Sequence, residues 1–254
     1  MKTVAVAFNT FREAIRDRIL YSLLVFALAM IGGSLVLSTL SVGGEVKIIK
    51  DLGLAAIGLV GTLIAVFIGV GLVHKEIERR TLYVIITKPI RRAEFVLGKF
   101  LGLAITLAVN VAIMAACLLL LASAMEARLT SELLVPIGMA FLKLMVVTAI
   151  AILFSTFSSP TLSAIFTLAL VVGGSLAKDL KLFAASFGGP FTQAAVSAVY
   201  LVLPNLAALD LGGAVVHGGP IPAAAVGLAA AYGIAYVAAL LVGAIWIFQY
   251  RDFK

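Results

Sequence analysis

Residues 144–177, LMVVTAIAILFSTFSSPTLSAIFTLALVVGGSLA, run for 34 positions without a charged side chain. As one continuous helix at 1.5 Å per residue, the stretch would be about 51 Å long. That is too short for two crossings of a hydrocarbon layer roughly 30 Å thick plus the turn between them. It does not suit a single crossing either, because Ser158-Ser159-Pro160 interrupts it and proline lacks the N–H that a helix interior uses. The arithmetic closes only if one helix begins before Lys143, near Leu133, and another runs from about Thr161 to Ala177. Lys143 then lies inside a span.

The same test applied to the rest of the chain finds other charge-free runs: 19–44 between Arg18 and Glu45, 52–73 between Asp51 and His74, and 100–125 between Lys99 and Glu126. A last one follows Pro220 and Pro222. The expected spans are about 19–41, 52–73, 100–124, 133–157, 161–177 and 223–249, an all-α polytopic membrane protein of six transmembrane helices. Composition agrees. Of the 254 residues 63% are hydrophobic and 12% charged, with a mean hydropathy of +1.20. Soluble domains carry about twice that share of charge, so a soluble enzyme and a disordered chain are both excluded. The single cysteine, Cys117, forms no internal bridge and completes no zinc pattern. No repeat or linker divides residues 1–254, which read as one permease-like domain.

Net charge is +7, and its distribution sets the expected orientation. With the N-terminus cytoplasmic, 13 basic residues fall inside (Arg79, Arg80, Arg91 and Arg92 among them), against five outside: Lys47, Lys50, Arg128, Lys178 and Lys181. Both termini are then cytoplasmic, and Trp246 and Tyr250 sit at the inner interface. Ahead of the first span, Val4, Phe8, Phe11 and Ile15 recur at helical spacing opposite Asn9, Arg12, Glu13 and Arg16. That pattern predicts an interfacial amphipathic helix rather than a signal peptide, whose apolar core would be longer. The long outer segment 178–222 holds an apolar piece, Thr192–Leu203, too short to span, which predicts a re-entrant or surface-lying helix.

Few residues offer chemistry. Gly98-Lys99 is followed by Phe100, and no glycine stands at position 93, so no phosphate loop forms. His74 and His217 fall on opposite sides of the membrane, which excludes a Ser/His/Asp set. The six methionines make no ligand ladder. All twelve acidic residues lie in loops or at helix ends, unlike the buried carboxylates of ion-coupled carriers. Two polar residues remain as candidates for a cargo path, Asn110 and Lys143. Asn110 also reads as interhelical hydrogen-bond glue, and the Lys143 ammonium can snorkel to the interface. In the last helix Gly227, Ala231, Ala235, Ala239 and Gly243 recur every four residues, a stripe that lets another helix approach, normally one of the same chain. Gly98 and Gly102 make a shorter version.

The inner loop 74–99, HKEIERRTLYVIITKPIRRAEFVLGK, is the most informative segment. Seven basic and three acidic side chains surround an apolar run, Leu82-Tyr83-Val84-Ile85-Ile86, that ends before Lys88-Pro89. Two readings stand. The loop is a protruding helical elbow that docks into a partner, or it lies on anionic lipid.

The string Lys75-Glu76-Ile77-Glu78-Arg79-Arg80-Thr81, with Thr87-Lys88-Pro89-Ile90, Glu94-Phe95 and Leu97-Gly98-Lys99, resembles the loop after the second helix in ATP-binding-cassette permeases of the type-2 exporter class. The likeness is closer to the branch named for multicopper-enzyme maturation. Phe154–Pro160 and Leu203-Pro204-Asn205-Leu206 add to it, and it extends over the whole chain. The resemblance implies that this loop is a coupling helix seated in a groove of a separate ATPase subunit. The contact would be made by Lys75, Glu76, Glu78, Arg79, Arg80, Thr81, Leu82, Val84, Ile85, Lys88 and Pro89. It further implies a second permease copy or a paralogue, a prokaryotic plasma (inner) membrane, no catalytic residue, and no cofactor on this chain, with ATP and magnesium on the ATPase. Nothing points to nucleic acid. A self-sufficient small carrier or channel, or a membrane anchor that recruits a partner, are the alternatives.

Overall fold

The computed structural model describes residues 2–39, 44–78, 91–126, 131–187, 189, 192–193, 196, 203–217, 219 and 222–250. Among them there is no strand. The helices are α1 (Lys2–Ile15), α2 (Arg18–Ser38), α3 (Glu45–Glu78), α4 (Arg92–Glu126), α5 (Leu134–Ser155), α6 (Pro160–Phe187), the short α7 (Gly212–Val216) and α8 (Ala223–Tyr250). Two 3₁₀ turns, Ser131–Leu133 and Leu206–Leu209, precede α5 and α7. Six helices, α2 to α6 and α8, are long and apolar enough to cross a membrane.

Local chemistry explains the boundaries. Asp17 caps α2 by accepting the Ile19 N–H at 3.0 Å. Glu45 opens α3 where a negative charge suits the helix N-terminus. Between α5 and α6 the chain breaks at Ser158-Ser159, and Pro160 takes the first helical position, where its missing N–H costs nothing. Inside the helices, hydroxyls return to their own backbone: Thr62, Thr106, Thr148 and Thr167 each donate to the carbonyl four residues back. In a lipid solvent that disposes of a donor that would otherwise be stranded.

Several helices run past the charge-free stretches. α3 starts at Glu45 and continues to Glu78, about 51 Å in all. α4 is 35 residues long, and α6 carries on ten residues beyond Ala177, through Lys178, Asp179 and Lys181. Charges bound the apolar layer and leave the helix free to continue outside it.

α3 and α5 form the centre. In its most apolar stretch 67% of α3 is buried, against 17% for α8. Ile57, Val60 and Ile64 of α3 meet Leu144, Val147 and Ile150 of α5 in the main core, to which Leu103, Leu107 and Met114 of α4 contribute. α1 packs on α4, α2 on α3, and α8 on α5. The segment after Leu203 folds back into the bundle: Leu206 and Leu209 are buried, and the Asn205 N–H donates to the Tyr232 hydroxyl at 2.9 Å. Its backbone passes so close to α6 that only glycine fits at 174, where a side chain would strike the Pro204 carbonyl. Of the piece expected to be re-entrant or surface-lying, only positions 192, 193, 196 and 203 are described, so that helix lies outside the described residues.

Candidate functional site

The proposed partner contact divides at the edge of the described residues. Lys75, Glu76 and Glu78 belong to the last turns of α3. Arg79, Arg80, Thr81, Leu82, Val84, Ile85, Lys88 and Pro89 lie outside the described residues. What the structure gives is the footing of loop 79–90, where the described chain resumes at Arg91.

That footing joins three helices. Glu94 reaches back to accept the Arg91 N–H at 2.9 Å, half of a capping box that fixes the start of α4. Arg92 donates to the carbonyls of Phe248 and Gln249 at 2.7 and 2.8 Å, closing the C-terminal end of α8 with a cation where the helix dipole is negative. The Phe95 and Phe248 rings stack at 5.7 Å. One turn on, Gly98 and Gly102 seat α1. A Cβ at Gly102 would lie 2.5 Å from both the Ala7 carbonyl oxygen and Thr10 Cβ, and one at Gly98 would be 2.6 Å from Val6 Cβ. Lys99, between the two glycines, is only 1% exposed, with its ammonium 4.0 Å from Glu13 of α1 and over the Phe95 ring. The sequence places Lys99 at the edge of a loop; the structure buries it at the α1–α4 contact.

α1 shows which of its faces meets protein. Ala7, Thr10 and Ala14 are buried, whereas Val4 and Phe8 of the apolar stripe are exposed. The small residues and Val6 lie against the bundle, Phe11 and Ile15 are half-buried, and Val4 and Phe8 face away.

The other candidates lie deeper or at the opposite end. Asn110 is buried, and its amide donates to the Thr106 carbonyl of the same helix at 2.8 Å. Its described bond is therefore intrahelical rather than interhelical. Lys143 pairs with Asp210 at 2.9 Å, and both line a cleft between α3, α5 and α6. Asn110 does not reach that cleft. A second ion pair at the same end joins Lys50 of α3 to Glu126 of α4. Asp210 was invisible as a partner because 67 residues separate it from Lys143. An acidic residue flanked by two leucines in a segment too apolar for an open loop was the available signal.

The stripe on α8 divides: Gly243 faces Leu153 of α5, a contact within the chain, and the other four members do not. Gly227, Ala231, Ala235 and Ala239 are exposed, and Gly233, off the stripe, is the glycine that meets Leu142 of α5 and Leu209.

A six-helix membrane bundle with a basic loop framed by α3 and α4 is thus in place when the sequence is compared with known families. The description "ABC-2 family transporter protein" matches residues 4–253. The chain belongs to the ABC-2 transporter family. It is a multi-pass membrane permease subunit of an ABC transporter, a transport component and not itself an enzyme. No individual curated protein matches this ABC-2 permease.

Proposed function

We propose that this permease is the exporting half of an ATP-driven transporter in a prokaryotic plasma membrane, with both termini and the elbow in the cytoplasm. A separate ATPase carrying ATP and magnesium docks on residues 75–89, and a second copy or a paralogue completes the path. The observation that supports the reading best is the footing: α1, α4 and α8 are fastened together where the elbow returns to the bundle. A push on the elbow then moves three helices as a body. Such coupling requires the ATPase to contact the elbow differently in two arrangements of the bundle.

The orientation follows the basic residues. Both described chain ends share the elbow's end of the bundle, since α1 sits on Gly98 and Gly102 and the end of α8 sits on Arg92. The exposed Val4 and Phe8 suit a helix lying in the interface of that leaflet. The link to multicopper-enzyme maturation rests on the loop string alone. Among the described residues no three His, Cys, Asp or Glu side chains converge to hold a metal.

Pull-down of the ATPase in detergent tests the docking. Val84→Asp or Ile85→Asp forces a carboxylate into an apolar groove, at several kcal/mol, and should weaken binding about a hundredfold or more. Glu76→Lys with Glu78→Lys should act in the same direction. Full retention of the ATPase by these variants rejects the coupling helix. With Cys117 replaced, single cysteines at Lys47 and Lys178 should react with an impermeant maleimide on intact cells. Labelling at Arg79 under those conditions would reverse the topology.

A further inference from the structure

Docking of an ATPase makes no use of the cleft between α3, α5 and α6. Its volume is about 630 Å³, within the roughly 300–1,000 Å³ of small-molecule sites. Most of its wall is apolar, with Leu54 and Leu63 on one side and Leu168 and Val171 on another. Three charged groups line it. Lys143 and Asp210 neutralise each other at 2.9 Å. The third, Asp51 on α3, has no hydrogen bond or ion pair among the described residues. Among the described residues the lining of the cleft therefore carries one net negative charge beside low-dielectric walls, where attraction for a cation is stronger than in water. An anion would have to pull Lys143 away from Asp210 and would then face Asp51.

The rim indicates where a ligand enters. Leu59 of α3 is 54% exposed and Val172 of α6 is 56% exposed, and both border the cleft. These are apolar residues on membrane-spanning helices, exposed in the single copy, so the mouth opens sideways between α3 and α6 at the depth of the spans. Gly58 also faces the space, and a Cβ there would meet no atom within 4 Å.

We infer that this cleft binds a small cationic amphiphile arriving from the lipid, its positive group against Asp51 and its apolar body between α3 and α6. The inference rests on the reading of the chain as a permease and names the class of molecule that one of its sites accepts. Asp51 attracts the charge, the Lys143–Asp210 pair sets the electrostatic balance, and Leu59 and Val172 form the entrance.

Equilibrium dialysis with the purified full-length chain in lipid nanodiscs tests it. The probes are tetraphenylphosphonium and tetraphenylborate, which share a shape and differ in the sign of their charge. The phosphonium should bind saturably and the borate should only partition. Asp51→Asn should weaken phosphonium binding about tenfold, the loss of one charge–charge attraction. Lys143→Met should strengthen it, because Asp210 then adds a second free carboxylate. Gly58→Phe should abolish saturable binding by filling the cleft while leaving the thermal midpoint near the parent's. Absence of saturable phosphonium binding overturns the inference, as does equal or better saturable binding of the borate. So does an isotherm that ignores Asp51→Asn and Lys143→Met. A disulfide between two copies through Gly58→Cys, with Cys117 replaced, would show a second copy covering the cleft and would also overturn it. No ATPase enters this assay, so its failure leaves the elbow's docking role untouched, and loss of docking leaves the isotherm unchanged.

Discussion

The two ends of the bundle are held together by different kinds of contact. At the end where α4 begins, close packing predominates: α1 lies on two glycines of α4 and encloses the Lys99–Glu13 pair, the Arg92 side chain grips the last carbonyls of α8, and Phe95 stacks on Phe248. At the other end ion pairs border open space, beside the close approach of Gly174 to the Pro204 carbonyl. Lys143 reaches Asp210 beside an open cleft, and Lys50 reaches Glu126. Close packing transmits displacement and tolerates little change in shape. Ion pairs beside a cavity can separate and re-form. In the proposed transport cycle the stiff end receives force and the yielding end holds and releases cargo.

That contrast can be broken most forcefully at Gly102. Gly102→Leu would drive a branched side chain into the Ala7 carbonyl and Thr10, and should cost about 3 kcal/mol and free α1, read by thermal unfolding and by hydrogen exchange along residues 2–15. Gly58→Ala is the matched control at the cleft, where the open space makes the change neutral or slightly stabilising. Equal damage from both would erase the distinction. Next in size is Glu126→Leu. Lys50 and Glu126 have side chains 9% and 15% exposed, so removing one partner should cost about 2 kcal/mol, measured by denaturant unfolding in detergent. The smallest effect belongs to Lys143→Met. Asp210 is 59% exposed, solvent screens the pair, and stability should stay within about 0.5 kcal/mol. A loss comparable to that of Glu126→Leu would mean the cleft end is as rigidly built as the other.

The sequence displays some of this plainly and hides the rest for physical reasons. Six apolar helices are legible because a lipid layer demands long runs without charge, and Ser158-Ser159-Pro160 marks the break that separates two of them. Helix ends are less legible: charge stops the apolar run at Ala177, yet nothing in Lys178 or Asp179 stops a helix. The burial of Lys99 could not be read, since a lysine next to a loop is ordinarily solvated and only α1 folding across Gly98 and Gly102 encloses it. Small residues at spacing four identify a face without naming its neighbour. Both Gly98/Gly102 and the α8 stripe carry the signature; the first is seated on α1 along its length, whereas among the described residues the stripe meets the chain at Gly243 and leaves Gly227, Ala231, Ala235 and Ala239 exposed. The Lys143–Asp210 contact depends on a tertiary return of the chain that no local pattern encodes.

The position of α8 also bears on how the protein is made. Its described anchors, Arg92, Phe95, Leu142 and Leu209, all precede it in the chain. During synthesis they are in the membrane, or waiting at its surface, before Ala223 leaves the ribosome. With so little of its surface buried, the last helix can be released into lipid first and slide against α5 afterwards. Until it arrives, the face of Leu142 that α8 covers is open to whatever else is inserting nearby.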